Sequence, residues 1–157
     1  MKPVRQHLSG TVVKEEAFGS EAYFDMLNLR KRILRDPLNI QWTEEEMSWE
    51  EKERHFGCAV KGRTVACLVI RSLGNGVVKL RQMAVAVDFQ GAGWGRHLIR
   101  GVEQTLREEL ISIIELHARD TALGFYEKLG FTREGETFLE VNIPPVSYTH
   151  LTLPTIE

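Results

Sequence analysis

Cysteine is scarce in this sequence. The 157 residues include two cysteines, Cys58 and Cys67, and these are not in CxxC spacing. A disulfide-stapled secreted domain needs more cysteines, and a zinc site needs closely spaced pairs of ligands. Both residues fall in apolar, strand-like surroundings, where a free thiol packs as a small hydrophobic group. The sequence therefore predicts two buried, reduced thiols and no metal site.

An excess of charge and a long hydrophobic run are also missing. The 20 Lys and Arg residues and the 22 Asp and Glu residues give a net charge of −2, so the basic surface typical of nucleic-acid or anionic-membrane binding is not indicated. No apolar run approaches the length of a membrane-spanning helix. The N-terminal residues lack the apolar core of a signal peptide. We therefore expect a cytoplasmic protein that binds neither nucleic acid nor membranes.

The remaining composition is typical of a globular domain. Hydrophobic residues make up 43% of the chain and charged residues 27%, which is enough to form a core at this length. We expect a single domain over residues 1–145. Residues 146–157 are rich in Thr and Leu and uncharged up to the last residue. We interpret them as the translated read-through of a sequencing adapter, with a disordered tail as the alternative.

Residues 80–96 are the most informative stretch. A β-favouring run ends at Asp88, three glycines follow at alternate positions, Gly91, Gly93 and Gly95, and an amphipathic helical pattern comes next. The apolar face of that predicted helix consists of Leu98, Ile99, Val102 and Leu106. The first N–H groups of a helix attract anions, and glycine lets backbone amides approach a phosphate closely. With Arg96 as a further donor, this order of strand, loop and helix predicts a phosphate or pyrophosphate site.

Three kinds of phosphate loop compete for this stretch. A Walker A loop requires Gly-Lys-Ser/Thr after the glycines, and Arg96 and His97 exclude it. A dinucleotide fingerprint, G-x-G-x-x-G, fits poorly because the third glycine comes one residue early. The pattern Q-x-x-G-x-G is met by Gln90, Gly93 and Gly95. A glycine-rich turn that serves only chain geometry remains the alternative without function.

The rest of the chain predicts further helices and strands. We expect a helix from Glu21 that Pro37 stops. Its inward face consists of Ala22, Phe24, Leu27, Ile33 and Leu34, and its solvated face of Arg30, Lys31, Arg32 and Arg35. A contact of Arg30 with the substrate or CoA is the alternative. A capping box of Thr43 and Glu46 predicts a second helix from Glu44 to about Arg54. A last short helix is expected after residue 120 or 121, and Gly130 ends it. The strands expected besides the central one, residues 77–87, are residues 11–14, 55–60, 64–71, 112–118, 131–133 and 137–141.

Residues 80–96 resemble the GNAT superfamily of acetyl-CoA-dependent N-acetyltransferases. Residues 122–131, with Phe125, Tyr126, Lys128 and Gly130, resemble a second motif of the same superfamily. The resemblance extends over about residues 27–144 and points to the small bacterial single-domain subgroup. It implies an α/β (α+β) fold, in which a mixed, mostly antiparallel sheet has a central parallel splay and helices on both faces.

The resemblance also implies a binding mode for acetyl-CoA as cosubstrate. The pantetheine arm would bond to the backbone of the splayed strand, and the glycine loop would hold the pyrophosphate. The residues this assigns to the cofactor are Met83, Ala84, Val85, Gln90, Gly91, Ala92, Gly93, Gly95 and Arg96.

Two residues are implied for catalysis. Tyr126 matches a tyrosine that protonates the departing thiolate, which a phenol of pKa about 10 can do at neutral pH; a core aromatic is the alternative. Glu140 matches a glutamate that serves as base, although Pro145 stands where the subgroup has a histidine. His117, His55 or a chain of water molecules could replace it as base. Arg119 stands where the superfamily often has asparagine, and that residue's role is not transferred.

The function predicted is transfer of an acetyl group from acetyl-CoA to a primary amine by direct attack. The acceptor is a small-molecule or peptide amine that the sequence does not identify. A non-catalytic acyl-CoA sensor and a nucleotide-dependent oxidoreductase are the alternatives. A homodimer through the last strands is compatible with the sequence.

Overall fold

The computed structural model describes residues 11–118, 122–135 and 137–141. In chain order its strands and helices are β1 (Lys14–Glu16), α1 (Glu21–Arg30), α2 (Glu44–Glu50), β2 (Arg54–Val60), β3 (Arg63–Gly74), β4 (Val77–Val85), α3 (Trp94–Glu108), β5 (Ile113–His117), α4 (Leu123–Lys128), β6 (Thr132–Glu134) and β7 (Thr137–Val141). This confirms the α/β class. The predicted tail, residues 146–157, and Arg119 lie outside the described residues.

The chain divides into two compact units. Of the described residues, the first comprises 11–70 and 82–101, and the second comprises 71–81, 102–118, 122–135 and 137–141. β3, β4 and α3 each contribute residues to both units.

The first unit has the strand order β1-β2-β3-β4. β1 is antiparallel to β2, with Lys14 opposite Gly57, and β2 is antiparallel to β3, with Arg54 opposite Ile70. This confirms the strands predicted at residues 55–60 and 64–71, although β3 is longer than expected. Its core consists of apolar side chains that are almost completely buried, including Tyr23, Met26, Leu29, Phe56, Leu68, Ile70, Trp94, Leu98 and Ile99.

The second unit has the strand order β3-β4-β5-β7-β6. β4 and β5 are parallel over the pairs from Val77 with Ile113 to Lys79 with Glu115. β5 is antiparallel to β7, and β7 is antiparallel to β6. The sheet is therefore mostly antiparallel with one parallel pair, as predicted. Val78, Leu80, Val102, Leu106, Ile114, Leu116, Leu129 and Phe131 form the apolar core of this unit.

The inward face of α1 differs from the prediction. Phe24 is 50% exposed, whereas Tyr23, Met26, Leu29 and Arg30 are buried. The prediction that Arg30 belongs to a solvated face is wrong, because it is 1% exposed. The helix ends at Arg30 and continues as a π-helical turn, Lys31–Arg35, and a 3-10 turn, Asp36–Leu38, that contains Pro37. Residues 11–13 are not in a strand, and β1 begins at Lys14.

The capping box predicted for α2 is confirmed. The Thr43 hydroxyl accepts a bond of 3.1 Å from the Glu46 N–H, and the Glu46 carboxylate accepts one of 2.9 Å from the Thr43 N–H. α2 is shorter than expected and ends at Glu50. The caps predicted for α4, residues 120 and 121, lie outside the described residues. Ala122, the residue directly before the helix, does not cap it with a side-chain hydrogen bond.

Both thiols are free and buried, as predicted. Burial raises the pKa of Cys58 and of Cys67 to about 12, so both remain protonated at neutral pH. None of the helices formed by the described residues is both long and apolar enough to cross a bilayer.

Candidate functional site

The end of β4 is tied to the segment that follows it. The Gln90 side-chain amide donates to the Val85 carbonyl at 2.9 Å. Asp88, in the 3-10 turn Val87–Phe89, accepts two bonds from Arg63 at 2.8 and 2.9 Å. These bonds from Arg63 lower the pKa of Asp88. The chain therefore leaves the strand in a defined direction before it reaches the glycines.

The glycine loop has a backbone that other residues adopt only with strain. Gly91 and Gly93 have φ values of 79° and 92°, in the left-handed region. A Cβ atom on Gly91 would meet no atom within 4 Å. The loop thus leaves open space beside its backbone, which is what an anion held by amide groups requires.

α3 begins directly after the loop, at Trp94. The N–H of His97 bonds to the Gly93 carbonyl at 3.0 Å, so the amides of residues 94–96 have no partner within the helix. Trp94 is 1% exposed, and its ring packs edge-on against Phe89 with 5.7 Å between the ring centroids. This packing anchors the first turn of α3, whose N–H groups and dipole form a site suited to phosphate.

A buried ion pair lies between α1 and α2. Arg30 donates to both carboxylate oxygens of Glu50, at 2.6 and 3.1 Å. The Tyr23 hydroxyl donates to the same carboxylate at 2.7 Å. Burial would raise the pKa of Glu50, but the hydrogen bonds and charge of Arg30, with the bond from Tyr23, outweigh it and the pKa is lowered. Glu50 is therefore ionised at neutral pH although it is 2% exposed.

Gln82 connects this pair to β4. Arg30 Nη1 donates to Gln82 Oε1 at 2.8 Å. Gln82 has a φ of 52°, which places its backbone in the left-handed region within the strand. Met83, Ala84 and Val85 follow directly, so the strand segment assigned to the cofactor begins immediately after the residue that Arg30 holds.

A cavity of about 420 Å³ lies beside the π-helical turn. Among the residues that line it are Lys31, Arg35, Asp36 and Trp42. The Trp42 ring lies near two guanidinium groups, 5.6 Å from that of Arg30 and 5.3 Å from that of Arg35. The volume of this cavity is in the range of small-molecule binding sites.

The structure places the two residues assigned to catalysis in the second unit. Tyr126 lies on α4, 8% exposed, and its ring contacts those of Phe125 and Phe131. Burial raises the pKa of Tyr126 to about 12. Glu140 lies on β7, opposite Ile114 of β5.

The two histidines considered as bases have different surroundings. His117 is the exposed last residue of β5. His55 is 1% exposed, and its Nε2 lies 2.8 Å from the backbone carbonyl oxygen of Glu50. Its ring also packs edge-on against Tyr23 at 4.8 Å. These contacts favour a structural role for His55.

Sequence reasoning missed the cluster of Tyr23, Arg30, Glu50 and Gln82. One signal was present, because Arg30 follows Tyr23 by about two helical turns and therefore shares its face. No local pattern indicated that Glu50 of α2 would be its partner. Metal ligands were not expected, and the described part of the chain has no group of three or more His, Cys, Asp or Glu residues that could hold a metal ion.

Comparison with known proteins agrees with the fold and the motifs. The family model of the acetyltransferase (GNAT) domain matches residues 29–151. The uncharacterized protein YyaT of Bacillus subtilis (strain 168) is 31% identical over 128 residues, which cover 80% of this chain and 86% of YyaT.

Solved structures share the fold. An acyl-CoA N-acyltransferase from Pseudomonas aeruginosa has a TM-score of 0.71 at 16% identity and covers 83% of this chain and 99% of its own. A GNAT family acetyltransferase from Elizabethkingia anophelis with acetyl-CoA bound has a TM-score of 0.65 at 14% identity and covers 83% and 97%. The resemblance predicted from residues 80–96 and 122–131 is thus confirmed at the level of the family. Because the family model matches most of the sequence, the chain belongs to the GNAT acetyltransferase family.

Proposed function

We propose that this protein transfers an acetyl group from acetyl-CoA to the primary amine of a small molecule or peptide. Membership of the GNAT family implies acyl transfer from an acyl-CoA. The observation that carries the finer proposal is the glycine loop, in which Gly91 and Gly93 have left-handed backbones and lead into the N-terminus of a 15-residue helix. The open space beside Gly91 supports the proposal that backbone amides of the loop hold a phosphate group there.

Different residues of the chain would bind the pantetheine arm and the pyrophosphate of acetyl-CoA. The backbone of Met83 and Val85 would bond to the pantetheine arm as to a neighbouring strand. Gly91, Ala92, Gly93 and Gly95 would present amides to the pyrophosphate, and the exposed Arg96 would add charge. Because the Gln90 side chain bonds to the Val85 carbonyl and its backbone N–H bonds to the Val87 carbonyl, we expect Gln90 to serve the cofactor site by holding the loop against β4.

The bound cosubstrate supplies an activated thioester, which the acceptor amine attacks directly and from which the CoA thiolate leaves. We assign Tyr126 as the proton donor to that thiolate. Burial raises its pKa to about 12, so the phenol carries its proton over the whole working pH range. A neutral amine is required for attack, and we assign Glu140, acting directly or through water, to remove the amine's proton.

We propose the cavity beside Trp42 as the acceptor site. Its charged lining residues are partly neutralised by neighbours, since Lys31 lies 3.1 Å from Asp36 and Arg35 lies 2.9 Å from Glu46. Both charge signs and an aromatic ring are therefore available to a small polar amine. The low net charge of the chain supports an acceptor other than nucleic acid.

Calorimetric titration of the full chain with acetyl-CoA tests the proposal. We expect the wild-type protein to bind acetyl-CoA and the Gly91→Ala variant to bind it at least ~10-fold more weakly, a loss of about 1.4 kcal/mol, because a methyl group enters the loop. Gly62→Ala is the matched control. Gly62 has the same φ of 79° and also has no atom within 4 Å of a Cβ, but it lies in the turn between β2 and β3.

The outcomes separate the alternatives. Equal losses in Gly91→Ala and Gly62→Ala would show that backbone strain, and not the loop, weakens binding. Binding of NAD in place of acetyl-CoA would favour the oxidoreductase. Binding of acetyl-CoA without release of free CoA thiol, measured with a panel of small amines and peptides, would favour the acyl-CoA sensor.

A further inference from the structure

Gln82 has an unusual backbone for its place in the fold. Among the described non-glycine residues with positive φ, the others, Asn39, Lys61, Asn75 and Leu110, lie in turns, whereas Gln82 lies inside a strand. A side chain in the left-handed region is strained and persists only where the surroundings hold it. The interior of β4 therefore needs an anchor at this residue.

Arg30 supplies that anchor. Its Nη1 donates to Gln82 Oε1 at 2.8 Å, and the same guanidinium donates to both oxygens of Glu50. A guanidinium has no acceptor, so the amide oxygen of Gln82 must face it, and the orientation of the side chain is fixed. One rigid, planar group thus connects α1, α2 and β4.

Arg30 is in turn held rigidly. Arg30 is 1% exposed and Glu50 is 2% exposed. The Tyr23 hydroxyl bonds to the Glu50 carboxylate at 2.7 Å, and His55 Nε2 lies 2.8 Å from the Glu50 carbonyl oxygen. A buried ion pair is a poor way to gain stability, because well-packed apolar side chains often stabilise as much. Geometry is the better explanation for this pair, and the geometry it controls is that of Gln82.

We propose that Arg30 and Glu50 are positioning residues that act through Gln82 on the acetyl-CoA-binding backbone of β4. By holding the left-handed bend at Gln82, they fix the direction of the peptide groups from Met83 to Val85. The phosphate loop, anchored separately through Gln90, Arg63 and Trp94, does not depend on them. This inference rests on the proposed function, in which those peptide groups bond to the pantetheine arm.

Three substitutions at Gln82 test it, with two ligands titrated calorimetrically into the full chain. One ligand is acetyl-CoA, and the other is 3′-phosphoadenosine 5′-diphosphate, which has the phosphates but no pantetheine arm. Gln82→Glu keeps an acceptor for Arg30, and we expect its acetyl-CoA affinity to stay within about twofold of wild type. Gln82→Gly loses the anchor but tolerates the bend, and Gln82→Ala loses the anchor and disfavours the bend. We expect Gln82→Gly to bind acetyl-CoA about tenfold more weakly than wild type and Gln82→Ala to lose more affinity than that. The affinity of both variants for the nucleotide should be unchanged.

Arg30 itself is tested by a double-mutant cycle. In Arg30→Lys a single ammonium replaces the planar fork and cannot serve Glu50 and Gln82 in the same geometry. We expect this variant to lose acetyl-CoA affinity as Gln82→Ala does, and the double variant to lose no more than either single one. Lys61→Ala is the control for backbone strain, because Lys61 has the same φ of 52° in an exposed turn.

Two results would overturn the inference while the proposed function stands. One is equal acetyl-CoA affinity in all three Gln82 variants, and the other is an equal loss for both ligands, which a general structural defect would produce. If wild type does not bind acetyl-CoA at all, the proposed function and this inference both fail.

Discussion

At the scale of single residues, Tyr126 is a buried side chain that carries a polar hydroxyl group. It is 8% exposed between aromatic neighbours, and burial raises its pKa to about 12. If it donates the proton to the thiolate, Tyr126→Phe removes the donor and keeps the ring. We expect kcat to fall by about 10²-fold or more, the usual contribution of a positioned acid, with little change in the KM for acetyl-CoA. Release of CoA thiol with an accepted amine measures this.

Tyr23→Phe is the matched comparison, because it deletes a hydroxyl that bonds to Glu50 at 2.7 Å. We expect that variant to raise the KM for acetyl-CoA more than it lowers kcat.

The raised pKa of Tyr126 has a consequence for the pH profile, since its phenol loses its proton only near pH 12. A loss of rate between pH 7 and 10 would therefore belong to another group. If kcat for Tyr126→Phe stays within twofold of wild type, Tyr126 is not the proton donor and serves only as an aromatic residue of the core.

At the same scale, the order of strand, glycine loop and helix was predictable from the sequence, whereas the burial of Arg30 was not. The loop is local, because Gly91 and Gly93 adopt the left-handed backbone that their missing side chains permit. The environment of Arg30 is not local, because its burial depends on Glu50, which lies on another helix. A charged residue is assigned to the surface by default, and only the folded chain shows its partner.

At the scale of the elements, β2 packs tightly against β3 and α1 at Gly57, and a substitution there tests this packing. A Cβ on Gly57 would lie 2.8 Å from Met26 Cε and 2.9 Å from the Ala66 carbonyl oxygen. The methionine tip can move, but the backbone oxygen belongs to the paired strand β3. We expect Gly57→Ala to destabilise the protein by about 1–3 kcal/mol, which thermal unfolding would show as a drop of several degrees.

Gly124→Ala makes the same chemical change in an open helix. Gly124 is exposed on α4, and a Cβ there meets nothing within 4 Å. We expect this substitution to raise stability by about 0.5 kcal/mol, because alanine is the better helix former. Equal melting temperatures for the two variants would mean that β2 moves freely away from β3 and α1, contrary to the close contacts described.

Element type was predictable where one face is clearly apolar. In α3, the predicted stripe of Leu98, Ile99, Val102 and Leu106 is at most 1% exposed. In α1, apolar residues lie on several sides, so the pattern alone did not distinguish the face of Phe24 from that of Tyr23. The π-helical turn after α1 was not predicted either, because such turns are rare and the sequence pattern does not distinguish them from an α-helix.

For the whole molecule, two buried or half-buried carboxylates link folding to pH. The pKa of Glu50 is lowered because its bonds to Arg30 and Tyr23 outweigh the effect of burial, and that of Glu46 is lowered chiefly by a hydrogen bond from Arg35. In the unfolded chain both return to the ordinary value of 4.5. Between the folded and unfolded pKa values the unfolded state binds more protons, so stability rises with pH there. The contribution is complete above about pH 5 and is lost as the pH falls further.

Glu50→Gln separates this linkage from general acid sensitivity. At pH 7 the variant leaves Arg30 buried without its counter-ion, and we expect a loss of about 3–5 kcal/mol by denaturant unfolding. As the pH falls below 4.5, the unfolded wild-type chain binds a proton at Glu50 that the folded chain excludes, so wild-type stability falls and the difference between the two proteins shrinks. Glu45→Gln, an exposed change on the same helix, is the control for the substitution of a carboxylate by an amide in α2. A difference between wild type and Glu50→Gln that stays constant from pH 7 to 3 would mean that the buried pair stabilises the fold by packing and not through its charges.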